Sequence, residues 1–199
     1  MAEYISFQPS DFFNTTLYSG TGSSQAVTGV GFSPDFSWLK LRTSAQVQCL
    51  TDTVRGVTNY IQSNSDAGET TNVQTLTDFD SDGFTIGTDD IVSKSSNTAA
   101  SWNWKAGTTS GITTNGYTTI TPSDYSFDAT KKISIVKYTG NATSGAKVAH
   151  GLGVAPEIML VKRLDTAAAW AVYSEARGNT KNLKLNTNAA ENVSSGYWN

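Results

Sequence analysis

Ser33-Pro34-Asp35-Phe36-Ser37-Trp38-Leu39-Lys40-Leu41-Arg42 recurs later in the same chain as Ala155-Pro156-Glu157-Ile158-Met159-Leu160-Val161-Lys162-Arg163-Leu164. Pro34 and Pro156 lie 122 residues apart, and the same spacing links Arg55-Gly56 to Arg177-Gly178. It also links Asn64, Ala67 and Glu69 to Asn186, Ala189 and Glu191, so the copied stretch has no gap. Upstream, Leu17-Tyr18-Ser19-Gly20 matches Lys137-Tyr138-Thr139-Gly140 at a spacing of 120, which leaves two extra residues before the second proline. Tandem copies of one unit multiply surface rather than build one catalytic cleft, so they point first to architecture.

Composition narrows the fold class. The chain has 199 residues, 38% of them hydrophobic and 11% aromatic, which is enough for packed cores. Only 16% are charged. Thr, Ser, Asn and Gly fill the difference, and these residues compete with helical hydrogen bonds or raise the entropy cost of ordering. They suit short strands and turns. A formal charge of −3 lacks the basic stripe that a nucleic-acid partner demands. The single cysteine, Cys49, leaves no intramolecular disulfide. No apolar run approaches the ~18 residues of a membrane span, and Met1-Ala2-Glu3-Tyr4 has neither the basic start nor the apolar stretch of a secretory signal. Synthesis in a cytoplasm, without membrane insertion, is the expectation.

Period-two alternation predicts strands at Ser101-Trp102-Asn103-Trp104-Lys105, Phe84-Thr85-Ile86 and Ile133-Ser134-Ile135. The continuous apolar run Ile158-Met159-Leu160-Val161 predicts a strand covered on both faces. Turn signals at Ser19-Gly20, Asp82-Gly83, Asn115-Gly116, Thr139-Gly140 and Ser195-Gly196 separate such pieces. No sustained helical stripe appears. The expected organisation is an N-terminal arm (residues 1–12), a first module (13–107), a Thr/Ser/Gly-rich connector (108–130) and a second copy (131–199). The expected fold is all-β: tandem antiparallel β-sandwich modules, jelly-roll-like, the second one incomplete. In that second copy nothing corresponds to the Trp102-Asn103-Trp104 strand; a longer natural chain, or a strand from a neighbour, would supply it.

A family resemblance rests on several motifs together. Phe7-Gln8-Pro9-Ser10-Asp11-Phe12-Phe13-Asn14-Thr15, Gly29-Val30-Gly31-Phe32-Ser33-Pro34-Asp35-Phe36 and Asp52-Thr53-Val54-Arg55-Gly56 are the first three. Asp80-Ser81-Asp82-Gly83-Phe84-Thr85-Ile86-Gly87, Trp102-Asn103-Trp104-Lys105-Ala106-Gly107 and His150-Gly151-Leu152-Gly153-Val154-Ala155-Pro156 join them, with Tyr18-Ser19-Gly20-Thr21-Gly22 and Ile133-Ser134-Ile135-Val136-Lys137-Tyr138-Thr139-Gly140. The chain resembles a tail-fibre-like, receptor-binding type of structural protein from tailed phages, especially marine phages and cyanophages. The resemblance covers nearly the whole chain. It implies a non-enzymatic virion component, often a homotrimer, with no cofactor and no catalytic residues to carry over. Such a protein attaches to other virion proteins, here through the N-terminal arm by strand addition, and contacts a host surface glycan or lipopolysaccharide by avidity. Two alternatives remain open. One is a head decoration protein or capsid fibre bound to the shell, and the other a polysaccharide depolymerase, which needs paired carboxylates in a groove.

Individual residues carry both sharp and plain readings. Trp170, Tyr173, Tyr197 and Trp198 are candidate glycan contacts, because sugar rings stack on aromatic faces. A sandwich core also claims large aromatics, and that reading is preferred for Trp170 and Trp198. Arg55 with Glu69, and Arg177 with Glu191, are expected to form structural ion pairs rather than a ligand grip. Asp78 to Gly83, with Asp89, imitates a calcium loop, yet its strand-like flanks favour a hairpin turn. His150 has no second histidine or nearby cysteine with which to hold zinc, so a turn is expected there. Cys49 is expected in the core.

Overall fold

The polypeptide is all-β, and its short strands alternate with turns and irregular segments. The computed structural model describes residues 8–198. Residues 1–7 of the expected docking arm lie outside the described residues. The remainder of that arm forms a short 3-10 turn, Pro9–Asp11, pinned to the first sheet where Lys105 N–H donates to the Phe12 carbonyl at 2.8 Å.

In chain order the first strands are β1 (Phe13–Ser19), β2 (Gln25–Thr28), β3 (Phe36–Leu41), β4 (Cys49–Asp52), β5 (Asn59–Tyr60) and β6 (Thr70–Thr71). β7 (Leu76–Asp80) and β8 (Gly83–Ile86) follow, then the single-turn helix α1 (Asp90–Ser93) and β9 (Thr98–Trp104). The later strands are β10 (Asp124–Asp128), β11 (Ile133–Lys137), β12 (Ile158–Val161), β13 (Ala171–Ser174), β14 (Lys181–Asn182) and β15 (Asn192–Val193).

Two antiparallel sheets make a sandwich-like first half, one in the order β1-β9-β3-β4 and the other β2-β8-β7. Their inner faces meet in one core, with Leu39 and Cys49 from the first sheet against Val27, Leu76, Phe84 and Ile86 from the second. Alternation gives each strand one apolar face to bury, and two such faces bury each other. β9 lies between β1 and β3, with Trp102 opposite Thr15 on one side and Trp38 on the other. Its inward polar residues are satisfied, as burial requires: Ser37 Oγ donates to Asn103 Oδ1 at 2.8 Å, and Asn103 Nδ2 donates to Ser101 Oγ at 3.0 Å.

The Asp78–Gly83 stretch is the β7–β8 hairpin. Gly83 adopts φ +140°, and a Cβ there would run into the Val27 carbonyl oxygen of β2. The nearby carboxylates serve separate partners. Asp80 accepts from Thr85 Oγ1 at 2.7 Å, Asp89 caps α1 through Ile91 N–H at 2.8 Å, and Asp82 accepts from the Gly29 and Gly31 N–H groups at 3.1 and 2.6 Å.

The second half repeats part of this pairing residue for residue. β3 pairs with β4 from Phe36↔Asp52 to Leu39↔Cys49, and β12 pairs with β13 from Ile158↔Ser174 to Val161↔Ala171. Each partner is displaced by 122 residues. The short ladders β5–β6 and β14–β15 obey the same displacement, as do the bridges Leu50↔Ile61 and Val172↔Leu183.

Two expectations change. Residues 108–130 are not simply a connector, because the alternation of Tyr125 and Phe127 with polar neighbours makes β10, which pairs with β11. β12 is not covered on both faces: Ile158 is 67% and Leu160 44% exposed. Their counterparts Phe36 and Trp38 lie beneath tryptophans of β9, and among the described residues no strand occupies the matching place beside β12.

The hydrogen bonds from Gly31 and then Gly29 hold the Asp82 carboxyl below its usual range. A carboxylate with a depressed folded-state pKa stabilises while ionised, and that contribution disappears as the pH falls through the folded value. Asp82→Ala is expected to lower the melting temperature at neutral pH. The gap from wild type should close below about pH 4, as read by thermal melts between neutral and acid conditions.

Candidate functional site

The aromatic quartet separates into one buried ring and three clustered ones. Trp170, just before β13, is 4% exposed and packs with Leu50 and Ile61, flanked by Phe36, Trp38, Leu164 and Leu185. Its Nε1 donates to the Gln62 carbonyl at 2.9 Å. The ring closes a seam between the two halves and has no face free for a sugar, so it leaves the candidate glycan set. Backbone contacts run along the same seam. Glu69 N–H donates to the Leu164 carbonyl and Ala168 N–H to the Asp66 carbonyl, both at 2.8 Å. A Cβ on Gly68 would stand 2.5 Å from the Leu164 oxygen, so a side chain there would push the halves apart.

Tyr173, Tyr197 and Trp198 come together. The Tyr173 and Trp198 rings meet edge to face at 5.7 Å, and Tyr197 lies 6.2 Å from Trp198. Such tilted arrangements suit the ring quadrupoles. Trp198 Nε1 donates to the Lys181 carbonyl at 3.0 Å, which fixes the indole against β14. Tyr197 is 47% exposed. The patch therefore couples an anchored indole to an open phenol.

Charged groups rim this patch. Arg177 Nε donates to Glu191 Oε2 at 2.8 Å, and Lys181 Nζ reaches Glu191 Oε1 at 3.0 Å. Hydrogen bonds from Lys181 and then Arg177 hold the Glu191 carboxyl below its ordinary range. The aromatic faces and this charged rim together can offer stacking and hydrogen bonding to a polyhydroxylated ligand.

The equivalent group in the first half has a different character. Arg55 is 5% exposed in its side chain and donates through Nε to Asp52 Oδ2 at 2.6 Å and through Nη2 to the Leu50 carbonyl at 2.8 Å. Glu69 stands further off, at 3.4 Å. Asp52 is thus the principal partner, and comparison of the two copies misses it because Ser174 stands in the matching position. The local signal was its place three residues before the arginine in a turn. Arg177, by contrast, is 53% exposed in its side chain.

His150 sits in a turn: its Nδ1 accepts from Leu152 N–H at 3.2 Å and its carbonyl from Ser134 Oγ at 2.7 Å. Cys49 is fully buried, and burial pushes its thiol up to about 12. Among the described residues, no three His, Cys, Asp or Glu side chains gather as a metal site. The sequence reading also missed a concavity of about 300 Å³ lined by Pro9, Phe12, Phe13, Trp104, Lys131 and Ile133. Within it the Lys131 ammonium lies 4.1 Å from the Phe12 ring centroid.

The chain belongs to a family described as a domain of unknown function, DUF7483, whose model matches residues 8–199. No curated protein and no solved structure matches it.

Burial sets the expected cost of changing these residues. Trp170→Ala should cost about 3–5 kcal/mol of stability by opening a cavity at the seam. Arg55→Ala, which leaves Asp52 buried without its partner, should cost about 3–5 kcal/mol. Arg177→Ala should cost no more than about 1 kcal/mol, because the exposed pair is screened by water. Urea denaturation of the three variants measures the order, and equal losses at Arg55 and Arg177 would contradict it.

Proposed function

We propose that this protein is a non-enzymatic structural component of a tailed-phage virion, a tail-fibre element that contacts the host surface. The observation that carries this reading is the recurrence of one hairpin, pair for pair, at a fixed spacing. Repetition of a sheet-forming unit extends a scaffold and its surface. The motif likeness to tail-fibre-like proteins points the same way.

Contact with the host falls to the Tyr173, Tyr197 and Trp198 patch. The C–H faces of a surface glycan or lipopolysaccharide stack on the rings, while Arg177, Lys181 and Glu191 meet its hydroxyl and anionic groups. Each site is weak. A homotrimer places three of them on one particle appendage, and their simultaneous engagement gives useful avidity. Attachment to the particle falls to the N-terminal residues.

Two measurements test this reading. Gold-labelled antibody against the chain should decorate the tails of phage particles, and label confined to heads would replace the fibre with a decoration protein. Tyr197→Ala should weaken binding of the assembled protein to host polysaccharide by about a hundredfold, from roughly 1 kcal/mol lost at each of three sites. The polysaccharide should keep its length throughout; shortened chains would mean an enzyme.

A further inference from the structure

β3 is hydrogen-bonded along both edges, to β4 and to β9, whereas among the described residues its counterpart β12 is bonded only to β13. We propose that the open edge of β12 is a strand-acceptor site. It takes an extended segment of a partner polypeptide in antiparallel register. The segment carries aromatic side chains opposite Ile158 and Leu160 and an apolar side chain opposite Met159. This inference stands independently of the virion reading.

The backbone phase settles which groups are on offer. In an antiparallel strand, alternate residues direct both N–H and C=O to the same neighbour. Thr53 N–H donates to the Asp35 carbonyl at 3.0 Å, so Ser37 and Leu39 bond towards β4, while the Asp35 N–H, at the entry to the strand, donates to the Trp104 carbonyl at 2.8 Å. Arg42 N–H donates to the Thr98 carbonyl at 2.7 Å, so Phe36, Trp38 and Lys40 bond towards β9. The first of these bonds recurs 122 residues on, where Glu175 N–H donates to the Glu157 carbonyl at 2.8 Å. Met159 and Val161 therefore serve β13, and Ile158 and Leu160 turn their backbone groups to the open side.

Side chains on that edge match the occupant seen in the first half. The Phe36 ring lies 5.2 Å from Trp104, and Trp38 lies 6.3 Å from Trp102, both on β9. Ile158 and Leu160 are apolar at the same positions but largely in water, so rings arriving from a β9-like strand would cover them. The opposite face defines a difference. Ser37 Oγ satisfies buried Asn103, but Met159 stands in place of Ser37 and offers no such hydrogen bond. The partner strand consequently needs an apolar residue where β9 has Asn103.

The other neighbour of β9 independently shows the same gap. β11 is the counterpart of β1, displaced by 120 residues. Phe127 exchanges both backbone bonds with Thr108 at 3.0 Å, so Ser126 is the residue bonding towards β11, through Ile135. Ser134 and Val136 then face away from β10, on the side where Asn14 and Thr16 bond β9. Among the described residues no ladder or isolated bridge engages either edge.

The probe is a labelled peptide, Thr-Ala-Ala-Ser-Trp-Val-Trp-Lys, which is the Thr98–Lys105 segment with Asn103→Val. The control has the same composition with its two tryptophans adjacent, one on each face. Fluorescence anisotropy with the whole protein should show one-to-one saturation by the probe and at least tenfold weaker binding of the control. Amide exchange at Ile158 and Leu160 should slow at least tenfold in the complex. Leu160→Pro removes an N–H that the β12–β13 pair does not use, so the hairpin persists while binding is lost. Leu160→Glu keeps the backbone intact and should weaken binding at least tenfold. Equal affinity for the two peptides, undiminished binding by both variants, or unchanged exchange at both amides would overturn the proposal. So would amides already protected in the protein alone whose protection is lost on dilution, since a second copy would then hold the edge.

Discussion

Backbone N–H and C=O groups withdrawn from water need partners on both edges of a strand, and β9 meets that demand fully. It bonds β1 on one side and β3 on the other, and so ties the beginning of the chain to a segment some eighty residues later. Its inner face supplies the self-satisfied Ser101 and Asn103. Its outer face supplies Trp102 and Trp104, which cover Trp38 and Phe36. The facing sheet β2-β8-β7 then has a firm surface on which to pack. Where no equivalent strand pairs, as beside β12, the same backbone path leaves Ile158 and Leu160 in water.

The two halves thus share a backbone and diverge in chemistry. Arg55 lies in a buried knot with Asp52, where desolvation makes each partner dependent on the other. Its counterpart Arg177 lies at the surface with Lys181 and Glu191, beside a cluster of rings. Trp170 links the halves by filling the space over Leu50 and Ile61 on the outer side of the first sheet. One copy serves as the framework against which the other is placed, and the copy with the exposed groups is the one available for contact.

Local order determined much of this. Alternation at Trp102-Asn103-Trp104 and Phe84-Thr85-Ile86 was sufficient for strands, because period two places every second side chain on one face. The Asp82-Gly83 turn was legible from its turn-forming dipeptide, whereas the closeness of the Val27 carbonyl, which leaves no room for a Cβ at Gly83, comes from distant β2. The fixed spacing of 122 located the recurring hairpin. Tyr173, Tyr197 and Trp198 could be named as candidates but not grouped, because their meeting depends on how β13, β14 and the chain's last turn pack.

By itself, then, the sequence determined the all-β class, the positions of β8, β9, β11 and β12, and the pairs of residues that recur. Tertiary structure alone decided that Asp52 rather than Glu69 is the closer partner of Arg55, that Trp170 is sealed in a seam, and that β12 has one edge unpaired among the described residues. Strand formation follows from the order of neighbouring residues. Burial, ion pairing and edge occupancy depend on which distant segments arrive beside them.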